Sequence, residues 1–360
     1  MHSTKRVMRW MASLGALGLV GLVATAAAQA PPQALLVMLR ISKTNGTLAI
    51  IDPATRKIVT RVRTGEDPHG VDVSPDGKVA FVANTSGDDG ESLSIIDVPG
   101  GKEIRRLTLK GSRPHDVQFA GRYAFFTAGG RKAIGRYDPD RNQVEWFETA
   151  PHATRMMAIS ADANTIYATS QPTKSVIVLE GVAGAPAQSK LTAISLGQEG
   201  EGLALSPDGK EIWTANPDNS GVSIVDLATK NVETIAVKTD HANRLTITRD
   251  GRYVLVLDRD IGETIIVDRV RRQEIKRIKH SGTQPGEAMG IFDVQLAADG
   301  ARAFVTVAHI PDTTPRSRAR PVVGGKHHIA VIDLKTLEVT GRIDTDIPGD
   351  EMAWVVSGQE

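Results

Sequence analysis

Short apolar runs that close on an acidic residue recur along the chain. They occupy 48–52, 93–97, 134–138, 176–180, 222–226, 264–268 and 329–333, ending on Asp52, Asp97, Asp138, Glu180, Asp226, Asp268 and Asp333. After the first run, residues 57–63 alternate polar and apolar, the period of a half-exposed strand. A second marker, Ser74-Pro75-Asp76-Gly77, returns as Ser206-Pro207-Asp208-Gly209, Thr248-Arg249-Asp250-Gly251 and Ala297-Ala298-Asp299-Gly300. Degenerate copies stand near Ala120-Gly121 and Ser160-Ala161-Asp162. The unit 48–83 reads as strands at 48–51, 57–63, 71–73 and 79–83. Asp52-Pro53 turns the chain after the first of these, because Asp accepts from backbone two residues on and Pro presets φ. Four short antiparallel strands per period predict one propeller blade, repeated seven times. The recurrent aspartates then read as hairpin closures rather than catalytic carboxylates.

The last blade runs from 329 to 351–356 and stops one strand short. The apolar segment 34–41 can supply that strand, and Asn45-Gly46 turns it into the first complete unit. The expected fold is therefore all-β: a seven-bladed β-propeller of four-stranded antiparallel blades, closed by an N-terminal strand joining the C-terminal blade. It forms a single domain over 34–360. Two stretches break the period, the small-residue segment 181–189 and an inserted loop at 311–326, which carries Arg316, Arg318 and Arg320.

Residues 1–28 read as a signal peptide. Lys5, Arg6 and Arg9 precede an apolar run at 11–27 and a small-residue cleavage site at Ala26-Ala27-Ala28. The run is short for a membrane span and no second one follows, so no stable membrane anchor is expected. The expected location is periplasmic or secreted. Removing 1–28 takes three of the 43 Lys and Arg, leaving 40 against 42 acids, so net charge moves from +1 to −2. That balance gives no footprint for nucleic acid. With no cysteine, disulfides, iron–sulfur clusters and thiolate-bound metals are excluded. Aromatics at 4% leave the core to Val, Ile, Leu and Ala.

The unit Ile50-Ile51-Asp52-x-Ala54-Thr55, followed by Gly65-x-x-Pro68-x-Gly70-Val71-x-Val73-Ser74-Pro75-Asp76-Gly77-x-x-Ala80-Phe81-Val82-Ala83-Asn84, closely resembles the YVTN-family (YncE-like) β-propeller repeat. The resemblance spans the chain after the leader and is sharpest at 48–109 and 200–230. It implies an exported seven-bladed propeller. Related propellers include lactonases and the haem domain of cytochrome nitrite reductases. No motif here selects either, so no catalytic residue is carried over.

In each blade the Asp turns and the Ser-Pro-Asp-Gly turns fall on one face of the disc and the long loops on the other. His69, His115, His152, His241, His280, His309, His327 and His328 all fall on the long-loop face. Five residues before each turn marker, the chain enters its innermost strand beside the channel. These positions are His69, His115, Arg155, Glu201, Asn243, Phe292 and Met352, with Arg244, Glu287, Asp350 and Glu351 nearby. The residues singled out as a ligand site at the channel mouth are His69, His115, Arg155, Glu201, Asn243, Arg244 and Glu287. Histidine serves as acid, base or metal ligand near neutral pH. A divalent metal would find its first ligands in His69 and His115, although no short His-x-His or His-Glu-x-x-His spacing supports one. No nucleophile elbow, phosphate loop or dinucleotide fingerprint is present. Two functions fit. One is a monomeric binding or scaffold propeller that holds a protein or small-molecule ligand on the long-loop face. The other is a metal-dependent or lactonase-like hydrolase with a His/Glu/Arg site at the same mouth.

Overall fold

Burial separates the strands of each repeat by their distance from the centre. In Val79–Asn84 and Ser92–Asp97 nearly every residue is buried, so both faces pack against neighbours. The outermost strand Lys57–Arg63 buries only Val62. The computed structural model describes residues 34–40, 46–86, 91–218, 221–280, 288–310, 321 and 324–355. Residues 1–28, Asn45, most of the 311–326 insertion and Glu287 lie outside the described residues.

The described strands form seven four-stranded antiparallel sheets. The innermost strands, in ring order from the second blade, are Pro68–Val73, Pro114–Ala120, Met157–Ile159, Leu203–Leu205, Ala242–Ile247, Ala288–Leu296 and Gly349–Val355. Each contacts the next, and Gly349–Val355 contacts Pro68–Val73, which closes the ring. The first and last described strands meet in the first blade. Ala34–Arg40 pairs with Gly349–Val355 on one side and with Gly46–Asp52 on the other. This antiparallel latch covers the facing edges of Gly349–Val355 and Gly46–Asp52.

The turns are built as the repeat predicts. Asp52 Oδ1 accepts from the Ala54 N–H at 2.8 Å. In the other turn Ser74 Oγ donates to Asp76 Oδ1 at 2.7 Å, and the Val79 N–H donates to Ser74 Oγ at 3.0 Å. The same Ser/Thr-to-Asp bond recurs at Ser160–Asp162, Ser206–Asp208 and Thr248–Asp250. The Ser74 hydroxyl holds Asp76 below the usual carboxylate range. These acids are structural clips. Glycine is required where blades meet: a Cβ at Gly70 would lie 2.6 Å from the His115 carbonyl oxygen.

A candidate ligand site at the channel mouth

β-Bulges deliver four of the residues that ring the mouth, whereas Arg155 and Glu201 stand just before the strands Met157–Ile159 and Leu203–Leu205. The ladder register shifts between Pro68 and Val71, between Pro114 and Val117, between Ala242 and Arg244, and between Ile291 and Val294. His69, His115, Asn243 and Phe292 fall within these shifts, where an extra residue turns the side chain off the ladder. Threonines hold the bulged backbone and reach the next blade. Thr127 Oγ1 accepts from the Asp116 N–H at 2.9 Å and donates to the Arg155 carbonyl at 2.8 Å. Thr169 does the same for Met156 and Glu201. In the first blade, Gly349 pairs with Leu39 and Met352 with Val37. That register puts Asp350, not Met352, at the position equivalent to His69. Spacing along the chain misplaced it because this blade has no Ser-Pro-Asp-Gly marker to count from.

The mouth residues separate into two groups. His69 and His115 stack, with ring centroids 4.4 Å apart and planes inclined by 21°. Near-parallel rings aim their nitrogen lone pairs side by side rather than at one point. Among the described residues, no three His, Asp or Glu side chains are grouped to hold a metal ion. The second group is an ion-pair chain across four blades. Arg155 meets Glu201 at 3.1 Å, Glu201 meets Arg244 at 3.4 Å, and Arg244 meets Glu351 at 2.7 Å. His241 Nε2 stands 3.8 Å from Glu201. Burial would raise the Glu201 carboxyl, but Arg155, Arg244 and His241 together hold it below its ordinary range. Asn243 is buried, and its Oδ1 has no protein hydrogen-bond partner.

The other histidines are separate from this group. His152 Nδ1 bonds Thr173 at 2.8 Å. His280 Nε2 bonds Thr264 at 2.8 Å, and burial, with His328 nearby, pushes it down to about 4. His309 bonds His327 through its backbone N–H. One rim carries the histidines, but they do not form one site.

Below the mouth lies a channel cavity of about 440 Å³. Its three aspartates were not named from the sequence. Asp72, Asp116, Asp293 and Glu351 line it beside Arg244. Each aspartate accepts from a backbone N–H of the neighbouring blade: Asp72 from Phe119 at 2.7 Å, Asp116 from Met157 at 2.8 Å, Asp293 from Met352 at 2.9 Å. Burial pushes Asp72 and Asp293 up to about 6 and Asp116 well above its ordinary value. Burial likewise pushes Glu351 up to about 7, against the pull of Arg244. The signal for these acids is the two-residue period of the innermost strand, which brings Asp116 and Gln118, or Asp293 and Gln295, to the same wall.

The family model for a YNCE-like beta-propeller matches residues 4–194. No curated protein sequence matches the chain. Among solved structures, the chain is similar to hydrazine synthase from Kuenenia stuttgartiensis at 19% identity and a TM-score of 0.60, covering 74% of this chain and 92% of that one. It is similar to the dihydro-heme d1 dehydrogenase NirN in complex with DHE at 15% identity and 0.61, covering 90% and 76%. A functionally unknown protein from Desulfotomaculum acetoxidans matches at 14% and 0.65, covering 89% and 98%. At these identities the likeness is one of fold.

Proposed function

We propose a binding role for this chain, which belongs to the YNCE-like beta-propeller family: an exported propeller whose long-loop face and channel mouth hold a partner protein or a small polar ligand. One observation carries the reading, the chain Arg155–Glu201–Arg244–Glu351 at the mouth. It leaves Glu201 ionised and satisfied, a poor proton acceptor for catalysis. It also fixes the Arg155 guanidinium at the rim with its side chain 36% exposed. A guanidinium held in that way suits a carboxylate or phosphate oxygen. Export rests on the basic start, apolar run and small-residue cut of residues 1–28.

Wild-type protein immobilised and exposed to extract of its own exported compartment is expected to retain a partner or ligand that Arg155→Glu does not. Equal recovery by both would overturn the reading. Protein recovered from that compartment should begin at Gln29, and a retained leader would refute export.

Hydrolysis has one observation in its favour: Glu351, Asp72 and Asp293 line a cavity with carboxyl groups that titrate near neutrality. Each aspartate already spends an oxygen on a neighbouring blade, which favours a structural role. Lactone turnover lost in Glu351→Gln with folding intact would reverse that preference. A stoichiometric metal lost in a His69→Ala, His115→Ala double variant would restore the metal-dependent form.

A further inference from the structure

On the tight-turn face, the residue after the hairpin acid plugs the groove between neighbouring blades at four junctions. Val98, 8% exposed, sits in the core cluster shared by the first and second blades. Leu227 packs in the cluster shared by the fourth and fifth blades, and Leu334 in that of the sixth and seventh. Arg269 seals its groove by ion pairs, 2.8 Å to Asp208 and 3.6 Å to Glu211 of the preceding blade. Between the second and third blades the corresponding residue is Pro139, which is exposed. The adjoining turn is also short. Only Gly121 and Arg122 join Pro114–Ala120 to Tyr123–Ala128, where the second blade uses residues 74–78.

The result is a cavity of about 770 Å³ lined by Phe81, Phe119, Tyr137 and Ile104. The Phe81 and Phe119 rings meet edge to face at 5.2 Å, and Ile104 is 54% exposed. Arg105 also lines it, donating to the Tyr137 hydroxyl at 3.4 Å and to Asn142 Oδ1. Among the described residues, Arg105 has no carboxylate partner, whereas Arg122 is paired with both Asp138 and Asp140.

We propose that this cavity is a second binding site, for a small aromatic carboxylate whose ring lies against Phe81, Phe119 and Tyr137 and whose carboxylate meets Arg105. The volume is that of a small-molecule pocket. Aromatic walls favour a flat apolar body. A guanidinium without an anionic partner supplies the charge-assisted hydrogen bond. The site opens on the opposite face of the disc from the mouth, so it stands or falls independently of the binding reading there.

Isothermal titration of the full chain with naphthoate, and with neutral naphthalenemethanol as a control, tests it. Saturable binding of naphthoate is expected. Arg105→Gln should weaken naphthoate about tenfold and leave naphthalenemethanol unchanged. Pro139→Trp, which restores the plug, should remove binding of both without lowering Tm; Ile104→Asp is the substitute if that variant fails to fold. Arg155→Glu should not alter naphthoate binding. No saturable binding by the wild type, or undiminished binding in the plugged variant, would overturn the proposal. Equal weakening of both probes in Arg105→Gln would overturn the carboxylate assignment.

Discussion

Arg244 is the residue on which most charge depends. It is buried, contacts Glu201 and Glu351, and its pKa is raised because these carboxylates and Asp293 outweigh its burial. Removing one member of a buried ion pair leaves a charge uncompensated, a cost of about 3–5 kcal/mol. Arg244→Ala is therefore expected to lower unfolding free energy by that amount in urea titration. A loss under about 1 kcal/mol would mean that the pairs contribute little. Protons provide a second measure. Asp72 and Asp293 move from 3.8 to about 6, and Glu351 from 4.5 to about 7. Folded values above unfolded ones mean stability that is complete below the unfolded pKa and lost as pH rises through the folded one. Glu201 runs the other way, losing its contribution in acid. So do His280 and His328, which are pushed down to about 4 and add stability as pH rises from there to 6.5. The raised carboxyls Asp72, Asp116, Asp293 and Glu351 outnumber them. Tm should therefore fall from about pH 5 to about pH 8, and Glu351→Gln should flatten the fall. A Tm that climbs over that interval contradicts the assignment of these carboxyls.

The innermost strand is the element that makes the site. Its bulge turns a side chain to the rim, its next positions face the channel, and its backbone lies against the next blade. That last contact explains Gly70 and Gly202, where an added Cβ would sit 2.6 Å from the carbonyl oxygens of His115 and Asn243. The obstacle is backbone, which cannot rotate away. Gly70→Ala should cost about 1–3 kcal/mol, measured by chemical denaturation. A neutral result would show that adjacent blades can slide apart. The Asp bonds to Phe119, Met157 and Met352 oppose such sliding from the channel side.

The molecule as a whole depends on its latch. Leu35 and Val37, from the N-terminal strand, are buried in one cluster with Phe304, Ile329 and Ile343 of the seventh blade. Deleting residues 34–40 would strip that cluster and open the edges of Gly46–Asp52 and Gly349–Val355. Self-association on size-exclusion chromatography and loss of a single cooperative unfolding transition are expected. A monomeric, cooperative deletion protein would show that the other six blades suffice.

The architecture was readable along the chain because each repeat carries its own turn chemistry. An Asp that captures backbone two residues on, or a Ser that bonds the Asp of its own turn, acts locally and leaves the same mark in every blade. The blade count and the joining of the two ends followed from those marks. The mouth was readable in part: His69, His115, Arg155, Glu201 and Asn243 could be placed on one rim by counting back from a turn, with Arg244 beside them. Their partners could not. Stacking of His69 on His115, the route from Arg155 to Glu351, and the seat of Asp350 depend on how bulges and neighbouring blades bring distant residues together. The channel acids and the open groove beside Pro139 come from the same cause. Local hydrogen bonds repeat with the sequence, whereas burial and charge pairing arise between blades, where the residue that matters lies some forty positions away.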